Sequence, residues 1–289
     1  LGLQDDLLFN VPEPTAALGA IEFRIDGGTT RKVDYVAVEE PLEVRVVHFD
    51  SGRLVTSKVA VTMRTPGDDF ELAVGFLHSE GVIRSAGDVT SVSYCTEPNE
   101  PQRFNIVNVQ LSPNVTFDAE SLSRRVFTSS ACGVCGTASL EYVQKVCATK
   151  PVGDFAVGRE LLCSLLSKLR DAQRFFSRTG GLHASALIDT EGSLLAVRED
   201  VGRHNAMDKL VGHLLLEGRL PASNKIVLVS GRASFELVQK AVLAGIPMLV
   251  AVGAPSSLAV ELAEKYGVTL VGFLRENRFN VYSSPERIV

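Results

Sequence analysis

The last third of the chain repeats one unit, and that repetition restricts the fold more than any other feature. An apolar run at 226–229 leads through Ser230-Gly231 into a helical pattern over 235–244. A second run at 248–252 leads through a glycine-containing turn into a helical pattern over 258–266, and a third run follows at 269–273. Short apolar runs joined by amphipathic helices predict parallel strands with helices packed on the sheet faces. Upstream, the spacing predicts a long helix over 159–178 ending at Gly180-Gly181, strands at 184–188 and 194–197, and a helix over 203–216. Residues 127–289 are therefore expected to form a three-layer α/β sandwich.

Before Phe127 the texture differs. Runs at 42–47 and 103–109 alternate with period two and are rich in β-branched residues, and Asp26-Gly27-Gly28 reads as a turn between two such runs. One helix interrupts them, with Asp68 and Asp69 as expected caps and Phe70, Leu72, Ala73, Phe76 and Leu77 as its apolar face. Residues 1–126 are expected to form a smaller α+β domain of mostly antiparallel strands.

Composition excludes several function classes. No stretch approaches the ~20 consecutive apolar residues that a membrane-spanning helix needs. With 29 basic against 34 acidic residues the chain carries a net charge of −5, unsuited to a protein held on nucleic acid by phosphate contacts. Five cysteines, an odd number, and no basic-then-apolar start argue against a disulfide framework and lead to the expectation of a cytoplasmic protein with reduced thiols.

The sharpest chemical signal is Ser129-Ser130-Ala131-Cys132-Gly133-Val134-Cys135-Gly136. Two thiols three apart, set among glycines before a helical pattern, suit thiolate chemistry, because a helix N-terminus favours the anion. The same spacing also suits half of a metal site or a purely structural pair. Cys163 and Cys147 lie on helical patterns and read as packed residues, and Cys95 ends a strand. His183 follows a Gly-Gly break, and the stretch from Glu199 to Lys209 crowds Glu199, Asp200, Arg203, His204, Asn205, Asp208 and Lys209 around a strand-to-helix turn. That density reads as a functional loop, with His204 and Asp208 as proton-handling candidates; the alternative is helix capping. Three further turns, 230–234, 253–257 and 273–278, each follow an expected parallel strand and so share one sheet edge, where α/β proteins bind ligands. Arg232, Arg275 and Arg278 supply guanidinium forks for phosphate or a guanine edge.

These motifs together resemble the FdhD family of formate dehydrogenase accessory sulfurtransferases. The likeness rests on Ala131-Cys132-Gly133-Val134-Cys135-Gly136, Thr179-Gly180-Gly181-Leu182-His183, the Glu199–Lys209 stretch, Ser230-Gly231-Arg232-Ala233-Ser234-Phe235-Glu236 and the Met63–Leu77 stretch. It covers about residues 20–289. It implies a sulfur carrier that accepts sulfur from a cysteine desulfurase as a persulfide on Cys132, with Cys135 assisting. The sulfur would pass to molybdenum bis(molybdopterin guanine dinucleotide), the cargo cofactor destined for formate dehydrogenase. It further implies cofactor binding at Phe273, Leu274, Arg275, Glu276, Asn277 and Arg278, with GDP or GTP as fragment mimics, no resident metal, a cytidine-deaminase-like second domain and a homodimer. A deaminase activity is a poor fit: His183 lacks a glutamate two residues on, no proline precedes Cys132, and the cysteine pair comes before the histidine. A cofactor chaperone that binds without transferring sulfur is the other reading.

Overall fold

The computed structural model describes residues 2–3, 12–96, 104–119, 122 and 150–289. Cys132, Cys135 and Cys147 lie outside the described residues. At the centre of the second half stand three four-residue parallel strands, β10 (Ile226–Val229), β11 (Met248–Ala251) and β12 (Thr269–Gly272). Their continuous apolar character has a direct cause: both faces are covered, so every side chain is buried. Ile226, Leu228, Met248 and Val250 face a core shared with Leu162, Leu165, Leu166 and Leu169 of helix α2 (Arg159–Ala172). Val227, Val229, Leu249 and Ala251 face the opposite core, built with α4 (Arg203–Leu216), α5 (Phe235–Leu243) and α6 (Ser257–Tyr266). The three layers expected from the sequence are present.

The flanks depart from the expected parallel pattern. Strands β8 (His183–Ile188) and β9 (Leu194–Asp200) form a hairpin, and β8 pairs antiparallel with β10. A further strand, β13 (Asn280–Ser283), closes the other edge antiparallel to β12, giving the order β13-β12-β11-β10-β8-β9. The helix expected over 159–178 is also interrupted. It stops at Ala172 and resumes as one turn, α3 (Phe176–Thr179), because the Glu199 carboxylate reaches over from β9 and accepts the amides of Phe175 (3.0 Å) and Phe176 (2.8 Å). A distant carboxylate thus starts a new helix where local spacing favoured continuing the old one.

The first half contributes a mixed five-stranded sheet, β1 (Gly2–Leu3), β6 (Val89–Tyr94), β7 (Ile106–Leu111), β4 (Glu40–Asp50) and β5 (Arg53–Arg64) in that order. Pairs β4–β5 and β6–β7 are antiparallel, while β4–β7 and β1–β6 are parallel. A separate antiparallel ribbon joins β2 (Thr15–Phe23) to β3 (Thr29–Ala37) through the Asp26-Gly27-Gly28 turn. Helix α1 (Asp69–Ser79) buries Phe70, Leu72, Ala73 and Leu77 against this sheet. Asp68 and Asp69 do not cap it as expected: Asp68 makes no capping bond, and Asp69 instead pairs with Arg64. On its other side α1 crosses α4 backbone to backbone. A Cβ added at Gly75 would lie 1.8 Å from the Asp208 carbonyl oxygen, and one at Gly212 would lie 1.9 Å from that of Glu71. Only glycine permits so close an approach.

Candidate functional site

The topology gathers the polar turns on one edge of the six-stranded sheet. Because β10, β11 and β12 are parallel, the turns 230–234, 253–257 and 273–278 leave them side by side. Backbone bonds tie each turn to the next: Gly253 N–H donates to Gly231 O (2.9 Å) and Phe273 N–H to Gly253 O (3.0 Å). Antiparallel β8 begins where β10 ends, so His183 arrives at the same edge, and Ser230 Oγ accepts the Ala184 amide at 2.9 Å. The junction where pairing changes from parallel to antiparallel is the natural place for a crevice.

An open trough follows this edge along α2. Its first hollow, about 410 Å³, is lined by Leu166, Leu169, Gln173, His183, Ser230 and Val252 among others. A middle hollow of about 510 Å³ lies between Arg170 and the 275–278 segment, and a third of about 780 Å³ reaches Arg159, Cys163 and Ile288. Neighbouring hollows share Leu166 and Arg170, then Glu276, Asn277 and Arg278. Residues 159, 163, 166, 170 and 173 recur at the spacing that places side chains along one stripe of a helix. At 1.5 Å per residue the trough wall is about 20 Å long.

Within the 273–278 segment the side chains divide. Leu274 turns inward and is fully buried in the core, so it is not a surface for a ligand. Phe273 adopts the left-handed conformation (φ 54°), and Arg275 folds back, its guanidinium donating to the carbonyls of Val252 (2.8 Å) and Leu274 (2.7 Å). Glu276 pairs at the surface with Arg170 (3.2 Å). Asn277 and Arg278 are exposed beside them, and the Arg278 guanidinium has no partner among the described residues. Arg275 therefore shapes the loop while Arg278 presents charge to the trough.

The two histidines on this edge are neutral near pH 7. Burial, then the charge of Arg203, holds His183 below its usual range against the pull of Asp200. His204 is pushed down to about 4 by burial, then by Lys240 and Arg203, although Glu236 and Asp208 act the other way. Its Nε2 lies 3.1 Å from Ser234 Oγ.

The 199–209 stretch turns out to be largely a clamp between the two halves of the fold. Asp200, fully buried, accepts from Lys209 Nζ (2.9 Å), Thr65 N (3.1 Å), Gly202 N (2.9 Å) and Asn205 Nδ2 (3.0 Å). Lys209 also donates to Thr65 O (2.9 Å), and Asn205 Nδ2 to Met63 O (2.8 Å). Asp208 accepts from Lys240 Nζ (2.6 Å) and Ser79 Oγ (2.7 Å) at the junction of α1, α4 and α5. Its carboxylate is consumed there, which removes it from the proton handling expected of it. Arg64, also fully buried, holds Asp69 in a two-pronged bond (2.9 and 2.8 Å). Burial works to raise the Glu71 carboxyl, but the Arg198 and His213 bonds outweigh it and keep it below its usual range. The motifs at 63–77 and 199–209, far apart in sequence, are two halves of one polar lock.

Sequence reasoning passed over the α2 side of the trough: Arg159, Cys163, Arg170 and Gln173. Cys163, expected to be packed, lines the trough wall, with its thiol pushed up by burial and by Glu160. It is a protonated thiol near neutrality and a poor nucleophile. Cys95 is buried, 3.8 Å from the Arg45 guanidinium. Among the described residues no helix is long and apolar enough to cross a membrane.

Comparison with known proteins gives a consistent result. Residues 37–289 match the model of the FdhD/NarQ family. The chain is 51% identical over 270 residues to the sulfur carrier protein FdhD of Streptomyces avermitilis, covering 91% of this chain and 92% of that protein. It is 47% identical over 257 residues to the protein of the same name from Sulfurisphaera tokodaii, covering 89% and 92%. A crystal structure of a putative formate dehydrogenase accessory protein from Desulfotalea psychrophila matches with a TM-score of 0.71 at 25% identity, over 95% of this chain and 99% of that one.

Proposed function

This chain belongs to the FdhD/NarQ family, and from that premise we propose that it is a sulfur carrier serving formate dehydrogenase. Sulfur arrives from a cysteine desulfurase: the Cys132 thiolate attacks the outer sulfur of the donor's persulfide, and the donor cysteine leaves as thiolate. Release as sulfide needs two electrons. The Cys135 thiolate supplies them by attacking the Cys132 sulfur, which expels HS⁻ and leaves a Cys132–Cys135 disulfide for a cellular dithiol to reduce. The acceptor is molybdenum bis(molybdopterin guanine dinucleotide), held as cargo with Arg278, Asn277 and Arg170 along the trough. The chain acts as a homodimer in the cytoplasm.

One observation carries this reading: a continuous trough about 20 Å long, rimmed by arginines within an acidic chain, a shape and charge suited to a dinucleotide. Incubation with a cysteine desulfurase and cysteine, followed by mass-spectrometric mapping, tests the sulfur route. Persulfide is expected on Cys132 and is expected to vanish in Cys132→Ala. Sulfur confined to Cys95, Cys147 or Cys163 would overturn the assignment, and no persulfide at all would leave a chaperone that carries cofactor alone.

A further inference from the structure

The antiparallel ribbon β2–β3 carries an apolar face that the fold covers only at one end. Residues directly opposite each other in such a ladder share a face. The register sets Ala37 opposite Thr15, Tyr35 opposite Ala17, Val33 opposite Gly19, Arg31 opposite Ile21 and Thr29 opposite Phe23, so all of these lie on one side. At the base of the ribbon that side rests on the protein's own body. The Arg178 guanidinium of α3 lies 4.5 Å from the centre of the Tyr35 ring, and a Cβ added at Gly181 would lie 3.6 Å from that of Ala37. Towards the tip the same face continues into solvent, with Ile21 52%, Val33 69% and Phe23 78% exposed and Ile25 fully exposed in the turn. Ion pairs gather on the other face and the turn, where Lys32 meets Glu22 (3.7 Å) and Asp34 (3.8 Å) and Arg24 meets Glu22 (3.4 Å). Among the described residues the ribbon pairs with no further strand, and a two-stranded ribbon left to itself is marginal in water.

We propose that a second copy of this chain covers the face, ribbon against ribbon across a two-fold axis. The inference rests on the homodimer reading above and assigns its surface. Area supports a second copy. Ile21, Phe23, Ile25, Val33 and Tyr35 together expose on the order of 700 Å², more than the roughly 300–600 Å² of the largest apolar patch on a typical monomer. With the smaller residues between them the face approaches the ~800 Å² per partner of a standard interface. Charge points the same way. A two-fold contact requires a patch that complements itself. A face that is apolar along its length does so, whereas a partner recognised by charge finds a single cation here, Arg31, whose long stem lets its head reach water. Two ribbons stacked in this way form a two-layer sandwich about 10 Å between sheets.

Analytical ultracentrifugation of the full chain tests it, with the native protein, Phe23→Glu/Val33→Glu and Leu54→Glu compared. Leu54, 52% exposed at the tip of the β4–β5 hairpin, is an apolar surface position away from the ribbon. The native protein is expected to be a dimer. Phe23→Glu/Val33→Glu should raise its dissociation constant by roughly 100-fold or more, since each copy would bury two carboxylates. Leu54→Glu should leave it unchanged. Hydrogen exchange on the native protein is a second measurement that needs no variant. Amides of residues 15–37 should exchange more slowly as concentration rises through the dissociation constant, because association holds the ribbon's ladder closed. A dimer that keeps its affinity in Phe23→Glu/Val33→Glu, or that Leu54→Glu weakens as much, overturns the inference and leaves the homodimer reading standing. So does exchange in 15–37 that ignores concentration while the dimer forms, and this result decides the matter if the double variant does not fold. A native protein that stays monomeric removes both.

Discussion

Two stretches of this chain are comparably rich in charged and polar side chains, yet the fold treats them in opposite ways. In 199–209 the Asp200, Lys209 and Asp208 side chains are sealed from water, each with two or more partners. In 273–278 the Arg275, Glu276, Asn277 and Arg278 side chains are exposed along a trough, and Arg278 is unpaired among the described residues. Polar density therefore does not distinguish a site from a scaffold. What distinguishes them is whether the polar atoms already have partners, because a buried charge is tolerated only when paired whereas a ligand-binding charge must be left available.

That contrast can be broken by mutation. The largest effect is expected at the glycine crossing beside the clamp. Gly212→Ala puts a methyl group 1.9 Å from the Glu71 carbonyl oxygen, and the helices must part. A loss of about 3 kcal/mol or more in urea unfolding is expected; an unchanged midpoint would refute the close contact. Next is Lys209→Met, which leaves the Asp200 carboxylate buried without its cation and should cost about 3–5 kcal/mol. If its stability matched the native protein, the clamp would be incidental.

The trough variants should behave in reverse. Arg275→Ala/Arg278→Ala is expected to change unfolding stability by no more than about 1 kcal/mol, since only the bonds from Arg275 to two carbonyls are lost. The same double variant should raise the dissociation constant for GDP about tenfold or more, and native binding should weaken with salt. A stability loss as large as that of Lys209→Met would erase the distinction between the two stretches.

The smallest effect concerns pH and sharpens the boundary between them, where His204 sits. Its folded value of about 4 lies below the unfolded 6.5, so the unfolded chain takes up the proton first. Its contribution to stability is complete above pH 6.5 and is lost as pH falls towards 4. Glu71, held below the usual carboxylate range, adds to the loss at lower pH still. His204→Gln should flatten the stability profile between pH 6.5 and 4; a profile unchanged from native would show that the imidazole is not held neutral.

Much of the architecture was legible in local pattern. The helix over 203–216, the strand at 226–229 and the turn at 26–28 stand where periodicity and turn chemistry place them. Each is determined by neighbours in sequence: apolar spacing, or a glycine at positive φ such as Gly27 (φ 90°). The shared edge of the three turns was also legible, because parallel strands joined by helices must leave in the same direction. The break after Ala172 was not. It depends on Glu199, whose carboxylate is 23 residues from the nearer amide it caps, Phe176. Nor was the role of Asp208 legible, since Ser79 and Lys240 reach it from 129 and 32 residues away.

By itself the sequence determined the layered second half, the α1 segment, the common edge of the three turns and, through its ordered motifs, the family. Those properties rest on short-range periodicity and on residue types that act alone. Tertiary structure alone decided which polar residues were already satisfied. Hydrogen bonding is pairwise, and the pairs here join strands and helices from both halves of the fold. Only their meeting turned 199–209 into a lock, set Cys163 in the trough wall and left the Gln173 Nε2 without a partner among the described residues.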